Sequence, residues 1–398
     1  MELRSDKVAS KEQARRVKKQ KTKNRLIGER FDFYILMIVA LLLIFGLLMI
    51  YSTSSYNALN EKGSAVYYLE KQALAISGGL FFMVIAMFFP MKWIRGLAEI
   101  IYFISVISVF LVLTGLGASE GGATRWIYIG PISVQPSEIV KIGIIILMAA
   151  ILCKFNSQEY NEWKMLGGLT IPSGIAAAVI FFVTNNLSSA IIIVGIAIVM
   201  MFVASPNYSK FFISAGVLLL LAVIAVLVIV NVDNSVEGGF RVERVLAWLD
   251  PEAYANGKGY QILQSLYAIG SGGLFGKGLG ESMQKLGFIP ESQNDMIFSI
   301  ICEELGLFGA IMLIVLFGSL LWRMMIVAMN TKNKFNCLVV VGVIAHIAIQ
   351  VVLNIAVVTN SIPNTGISLP FISYGGSSVV CLLVEIGLVM NVSRTSKS

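Results

Sequence analysis

Apolar residues run in long unbroken stretches along most of this chain, and the polar residues gather between them. Ten stretches approach or reach span length: 33–52, 72–90, 97–117, 136–153, 166–183, 187–204, 211–232, 296–321, 337–358 and 374–392. A helix crosses a bilayer with about 20 apolar residues, and a barrel strand with about 9–11 of alternating polarity. These stretches are long and continuous rather than alternating, so helices are predicted. The expected architecture is an all-α membrane protein with ten transmembrane helices. The fifth and sixth stretches are separated only by "TNNL", which predicts a tight hairpin.

The loops set the expected orientation. Lys92, Arg95, Lys154, Lys164, Lys210, Arg323, Lys332, Lys334, Arg394 and Lys397 all fall on one side of the ten-span scheme, together with the N-terminal tail. Cations collect in cytoplasmic loops, so both termini are expected in the cytoplasm. Residues 1–30 hold eleven of the thirty Lys and Arg and read as a basic disordered tail touching anionic lipid or a partner, not nucleic acid. Residues 31–398 form the membrane domain. One connection is long: an extracellular loop at about 233–295, between helices 7 and 8, with five basic and eight acidic side chains. Its "RVLAWL" and "GYQILQSLYAIG" carry apolar residues at helical spacing and should pack on the membrane face. Its "GSGGLFGKGLG" follows a helix and lacks the GK[ST] ending of a nucleotide-binding loop.

Composition excludes an ordinary soluble domain. The 398 residues are 57% hydrophobic and only 13% charged, and the mean hydropathy is +0.82. Four cysteines (Cys153, Cys302, Cys337, Cys381) lie in or beside apolar runs without metal-ligand spacing and read as small buried hydrophobes. The single His346 sits mid-run and is expected to hydrogen-bond between helices.

Candidate chemistry collects in three clusters. The first is "IPESQNDMIFSIICEELG", residues 289–306, where Glu291, Asp295, Glu303 and Glu304 crowd one helix start. Asp295 reads either as a helix-capping acid or as a single external base. Glu303 and Glu304 lie about 12–13 Å deeper at 1.5 Å per residue. They are badly placed to pair with Asp295, which argues against a two-carboxylate glycosidase. Charge at that depth is costly, so both need internal partners. The second cluster, "GGATRWIYIGPISVQPSEIVK", places Arg125 and Trp126 at the interface. Glu138 and Lys141 follow at a spacing that allows a pair on one helix face. The third, "PNTGISLPFISYGGSS", has Pro363, Pro370, Gly366, Gly375 and Gly376. It cannot be regular helix and must line protein or a wet cavity. Its Ser373, Tyr374, Ser377 and Ser378 suit a polar head group. All three clusters are expected at the external leaflet.

These blocks, with "RVERVLAWLDPEAYANGKGYQILQSLYAIGSGGLFGKGLG", resemble the SEDS family (shape, elongation, division and sporulation proteins) over nearly all of residues 31–392. "SVQPSEIVK" and "DPEAYANGKGYQ" are more similar to the division and sporulation branch than to the rod-elongation branch. The resemblance implies a plasma-membrane peptidoglycan glycosyltransferase that polymerises lipid II into glycan linked to undecaprenyl pyrophosphate. It places the catalytic aspartate on Asp295, as general base toward the acceptor sugar hydroxyl. Candidates to bind the substrate are Arg241, Arg244, Lys258 and Lys277 for the pyrophosphate, with Arg125, Trp126, Glu138, Lys141, Gln264, Ser377 and Ser378 in the matching blocks. A divalent cation (Mg or Mn) is left open as an aid to the leaving group. The implied partners are a class B penicillin-binding transpeptidase, other divisome proteins and membrane lipids. At "NNLSS" Asn186 replaces an acid common in the family, so no role is assigned there. Two other readings stay open: a lipid II flippase, and a non-catalytic scaffold for cell-wall enzymes.

Overall fold

A computed structural model describes residues 31–114, 117–120, 123–129, 132–154, 162–205 and 240–396. The predicted basic tail (1–30) and the predicted seventh span (211–232) lie outside these residues. Among the described residues seven helices are long and apolar enough to cross a membrane. They are α1 (Phe33–Lys62), α2 (Tyr67–Phe88), α5 (Pro136–Lys154), α7 (Leu187–Ala204), α10 (Ile297–Met329), α11 (Lys334–Val358) and α12 (Gly376–Ser396). Shorter apolar helix occurs in α4 (Ala98–Phe110), which follows α3 (Met91–Gly96), and in the second half of α6 (Glu162–Thr184). Nine of the ten predicted spans therefore coincide with helix.

The helical membrane class is as expected, with one addition. The third apolar run does not stay helical to residue 117: α4 ends at Phe110 and a 3-10 turn ends at Leu113. A three-stranded antiparallel sheet follows, made of β1 (Gly117–Glu120), β2 (Ala123–Ile129) and β3 (Ile132–Val134). The physical reason lies in "ATRWIYI", whose aromatic and β-branched residues suit a strand and which is too short to span. Ile127 pairs with Gly117 on one side and Val134 on the other.

α5 is the buried centre of the bundle, with α4, α6, α7, α11 and α12 packed around it. α1, α2, α10 and α12 form the other half, α12 lying along α2. Apolar side chains facing outward, such as Met37, Leu41, Ile44 and Leu48 on α1, are what a lipid-facing surface requires. One end of the bundle gathers cations: Arg323 pairs with Asp32 at 2.8 Å, Lys154 with Glu99 at 3.1 Å, and the Arg394 guanidinium lies over the Phe88 ring.

At the other end two helices, α8 (Phe240–Leu249) and α9 (Lys258–Gly272), lie between the membrane helices. α9 packs against the first turns of α10, which are broken at Gly306 (φ +67°, ψ −165°). The break frees backbone groups that the loop after α9 satisfies. The N–H groups of Leu307 and Phe308 donate to Gly273 and Leu274 (2.9 and 3.1 Å). Lys277 and Gly278 donate to the carbonyls of Glu303 and Glu304, both at 3.0 Å. Only glycine adopts this backbone without strain, and a Cβ at 306 would strike the 274–276 backbone.

Candidate active site

Asp295 lies in the polar turn just before α10, half-buried. It does not cap the helix: Met296 is the N-cap residue, and no side chain makes the cap bond. The turn is held from three directions. Asn354 of α11 donates to the Asp295 carbonyl at 2.8 Å. The Tyr374 N–H donates to the Gln293 carbonyl at 2.9 Å. Gln261 of α9 donates to the Pro290 carbonyl at 3.2 Å. Gly366, with φ +66°, faces the carboxylate; a Cβ there would sit 3.6 Å from Asp295 Oδ2.

This enclosure sets the acidity of Asp295. Burial disfavours the charged form, and the Glu291 carboxylate on the same turn adds repulsion. Nearby backbone N–H groups and the Arg244 guanidinium pull the other way, and the balance raises the pKa to about 6. Among the described residues no cation stands within ion-pair distance of Asp295. The group is thus ionised near neutral pH yet basic enough to take a proton.

A cavity of about 220 Å³ is lined by Arg244, Gly257, Tyr260, Gln261, Ile262 and Asn364, and by Pro290 of the turn that carries Asp295. Arg244 reaches the Asn364 carbonyl at 3.3 Å, and Asn364 in turn donates to Gln261 Oε1 at 3.0 Å. The cavity is walled by α8, α9, the Asp295 turn at Pro290 and the 363–375 segment at Asn364, and its Arg244 guanidinium is also the cation that acts on the Asp295 carboxylate.

The other sequence candidates fall in three groups. Lys277 Nζ is 2.7 Å from Glu303 Oε1, and Ser282 also donates to Glu303. Lys285 Nζ contacts Glu304 at 2.9 Å, and Ser52 of α1 donates to the same carboxylate. These are the internal partners that the depth of the two glutamates required. Arg125 of β2 donates to the carbonyls of Thr184 and Asn185 (3.4 and 3.1 Å), fastening the sheet to the α6–α7 turn. Trp126 is half-buried on the same strand, opposite Ala118. Asn186, to which the sequence assigns no role, accepts from Ser189 N at 3.0 Å and caps α7.

Glu138 and Lys141 pair at 2.7 Å, both buried in α5. They stand near Ser378, while Ser377 accepts from the Gln135 N–H at 3.1 Å. His346 Nδ1 meets Glu385 at 2.9 Å, so the lone histidine bridges α11 and α12. Gln264 is half-buried on α9. The side chains of Arg241 and Lys258 lie outside the described residues. Among the described residues no three His, Cys, Asp or Glu side chains converge to hold a metal.

Sequence reading passed over Gln261, Asn354 and Asn364. A signal existed for Asn354: His346, Gln350 and Asn354 recur every four residues in an otherwise apolar run, which puts them on one face of α11. Gln350 donates to the Ser368 carbonyl at 3.0 Å, and Asn354 to that of Ile367 at 2.7 Å. That polar stripe fastens the irregular 363–375 segment to the bundle.

Comparison with known proteins agrees with the geometry. The family model described as a cell cycle protein, FtsW/RodA/SpoVE, matches residues 33–398. Stage V sporulation protein E of Bacillus subtilis is 37% identical over 377 residues, covering 92% of this chain and 98% of its own. The probable peptidoglycan glycosyltransferase FtsW of the same organism is 34% identical, covering 92% and 91%. Among solved structures, a chain from "Structural coordination of polymerization and crosslinking by a peptidoglycan synthase complex" superposes with a TM-score of 0.76 at 25% identity, covering 92% and 98%. The rod shape determining protein RodA of Thermus thermophilus shares the fold, with a TM-score of 0.65 at 23% identity over 92% and 97%.

Proposed function

The chain belongs to the FtsW/RodA/SpoVE family of cell cycle proteins, and from that premise we propose that it is a peptidoglycan glycosyltransferase that polymerises lipid II. The observation that carries the reading is Asp295, a half-buried carboxylate with a pKa raised to about 6, on a turn whose Pro290 lines a cavity together with the Arg244 guanidinium.

In this reading Asp295 accepts the proton of an acceptor sugar hydroxyl. The hydroxyl oxygen bonds to the anomeric carbon of the lipid-linked donor as the bond from that carbon to the phosphate oxygen breaks. The electron pair leaves with undecaprenyl pyrophosphate, which departs as an anion and needs no proton. One carboxylate is therefore enough; among the described residues the acid on the same turn, Glu291, is exposed. Arg244 stabilises the negative charge as it develops on the pyrophosphate. Lys277 is committed to Glu303 and contributes at most through its exposed side.

The bundle is placed in the plasma membrane with the Asp295 end outside and the cationic end in the cytoplasm, as the distribution of Lys and Arg favours. The class B transpeptidase, other divisome proteins and the lipid carrier are the partners this reading assigns. The intramembrane charges favour polymerisation over transport. Glu138, Glu303, Glu304 and Glu385 each have a basic partner within 3.0 Å, which leaves them closed on themselves rather than lining a polar path. The test is Asp295→Asn in the purified full chain supplied with lipid II. No glycan should form while the protein stays monodisperse; glycan at the wild-type rate would refute the base.

A further inference from the structure

We propose that Asn354 is the positioning residue that sets the catalytic carboxylate, by tying the Asp295 backbone and the segment facing it to one amide group on α11. The inference rests on Asp295 being the base.

Asn354 is wholly buried near the C-terminal end of the apolar helix α11. An amide at such a place is unfavourable unless its hydrogen bonds are made. Its nitrogen has two hydrogens, and both are committed: Nδ2 donates to the Asp295 carbonyl at 2.8 Å and to the Ile367 carbonyl at 2.7 Å. Ile367 follows Gly366, the residue whose Cα faces Asp295 Oδ2. A single rigid group thus fixes both the backbone that carries the carboxylate and the backbone that walls it. The two polar neighbours on the same face do less. Gln350 holds Ser368 alone, and His346 engages Glu385 on α12. Of these three, Asn354 alone touches both sides of the site; Gln261 and the Tyr374 N–H also join the turn to the 363–375 segment, but at Pro290 and Gln293 rather than at Asp295 itself.

The physical consequence is specific. With the clip gone, the backbone at Asp295 loosens from the backbone at Ile367 while Gln261 and Tyr374 still join the flanks, water reaches the carboxylate, and the charged form becomes easier to make. The ionisable groups facing Asp295 are Glu291 on its own turn and Arg244 on α8; α11 and the 363–375 segment present neither carboxylate nor cation to it. Neither Glu291 nor Arg244 is bonded to Asn354, so its removal acts on Asp295 through solvation and placement. A purely structural residue would lower the yield or melting temperature and leave the pH profile of the folded enzyme alone.

The experiment uses the purified full chain with lipid II. Asn354→Leu keeps the volume and removes both donors. Its kcat should fall about 10- to 100-fold with KM within about twofold, since a misplacement of about 1 Å can cost about 10²-fold. The acidic limb of kcat should move to lower pH. A second readout needs no turnover: carbodiimide labelling of the Asp295 carboxyl, followed by peptide mass spectrometry across pH, should show a lower midpoint than wild type. Gln350→Leu should leave both readouts near wild type. If Asn354→Leu does not fold, Asn354→Gln carries the test, with both readouts intermediate. Wild-type kcat and an unmoved labelling midpoint in the folded variant would overturn the proposal. An active Asp295→Asn enzyme would instead remove the base reading, while the labelling curve still decides whether Asn354 holds the turn.

Discussion

Asp295 and Glu304 stand nine residues apart at the start of α10, and both are carboxylates inside the molecule. Glu304 is sealed from solvent and fully answered: Lys285 lies 2.9 Å away, and the Ser52 hydroxyl donates at 2.7 Å. Glu303 next to it has Lys277, Ser282 and the Met283 N–H (3.2 Å). Asp295 has the reverse environment. It is half-buried, faces a glycine, and has a like charge nearby from Glu291 and only a more distant pull from Arg244. A carboxylate that must stay ionised in a bilayer is neutralised on every side. One that must take up a proton is left short of partners, at a cost in stability. The contrast assigns structure to the glutamates and chemistry to the aspartate, although all three stand in one short run.

Exchanging each acid for its amide separates the two kinds of site, and Asp295→Asn should have the largest effect. Polymerisation should fall by about 10²- to 10⁴-fold, the usual contribution of a positioned base. The same variant should be more stable than wild type at alkaline pH. The folded pKa, about 6 against an ordinary 3.8, is raised, so ionisation costs folding energy as pH climbs through that window. The gain should reach up to about 3 kcal/mol above pH 7 and vanish below about pH 3, as thermal unfolding at several pH values would show. Equal melting temperatures at pH 8 would contradict the raised pKa.

Glu304→Gln should behave in the opposite way. It leaves the Lys285 ammonium buried without its counter-charge, a loss on the order of 3–5 kcal/mol. Unfolding temperature and yield should drop, while the protein that folds should keep the wild-type pH dependence. A change in the acidic limb would mean that Glu304 takes part in the chemistry. Glu291→Gln should have the smallest effect. Removing the repulsion lowers the Asp295 pKa, so the acidic limb moves to lower pH with little change in maximal rate. Movement to higher pH would show that the two acids do not repel.

Much of this was legible in the sequence where one residue pattern sufficed. Continuous apolar runs gave the helices, and the depth of Glu303 and Glu304 required the internal cations that Lys277 and Lys285 provide. Arg244 was drawn out by its block and does line the cavity. Lys277 was drawn out on the same grounds, yet it sits in an ion pair with Glu303, because a loop cation and a helix acid 26 residues apart meet only through the kink at Gly306. Periodicity along one helix cannot reveal such a meeting. The sheet at 117–134 was missed because "ATRWIYI" abuts an apolar run and its alternation is short. Asn354 was missed because amides on one face of a membrane helix, Gln350 and Asn354 here, read as glue between helices until the carbonyls they bind are known.

The most direct test is the pH dependence of single-turnover glycan synthesis from lipid II, for wild type beside Asp295→Asn. The account predicts that the wild-type rate climbs about tenfold per pH unit on the acid side, bends near pH 6 and is level above it, with the variant low and flat throughout. A wild-type rate with no bend between about pH 5 and 7, or a variant that follows the wild-type curve, would contradict it.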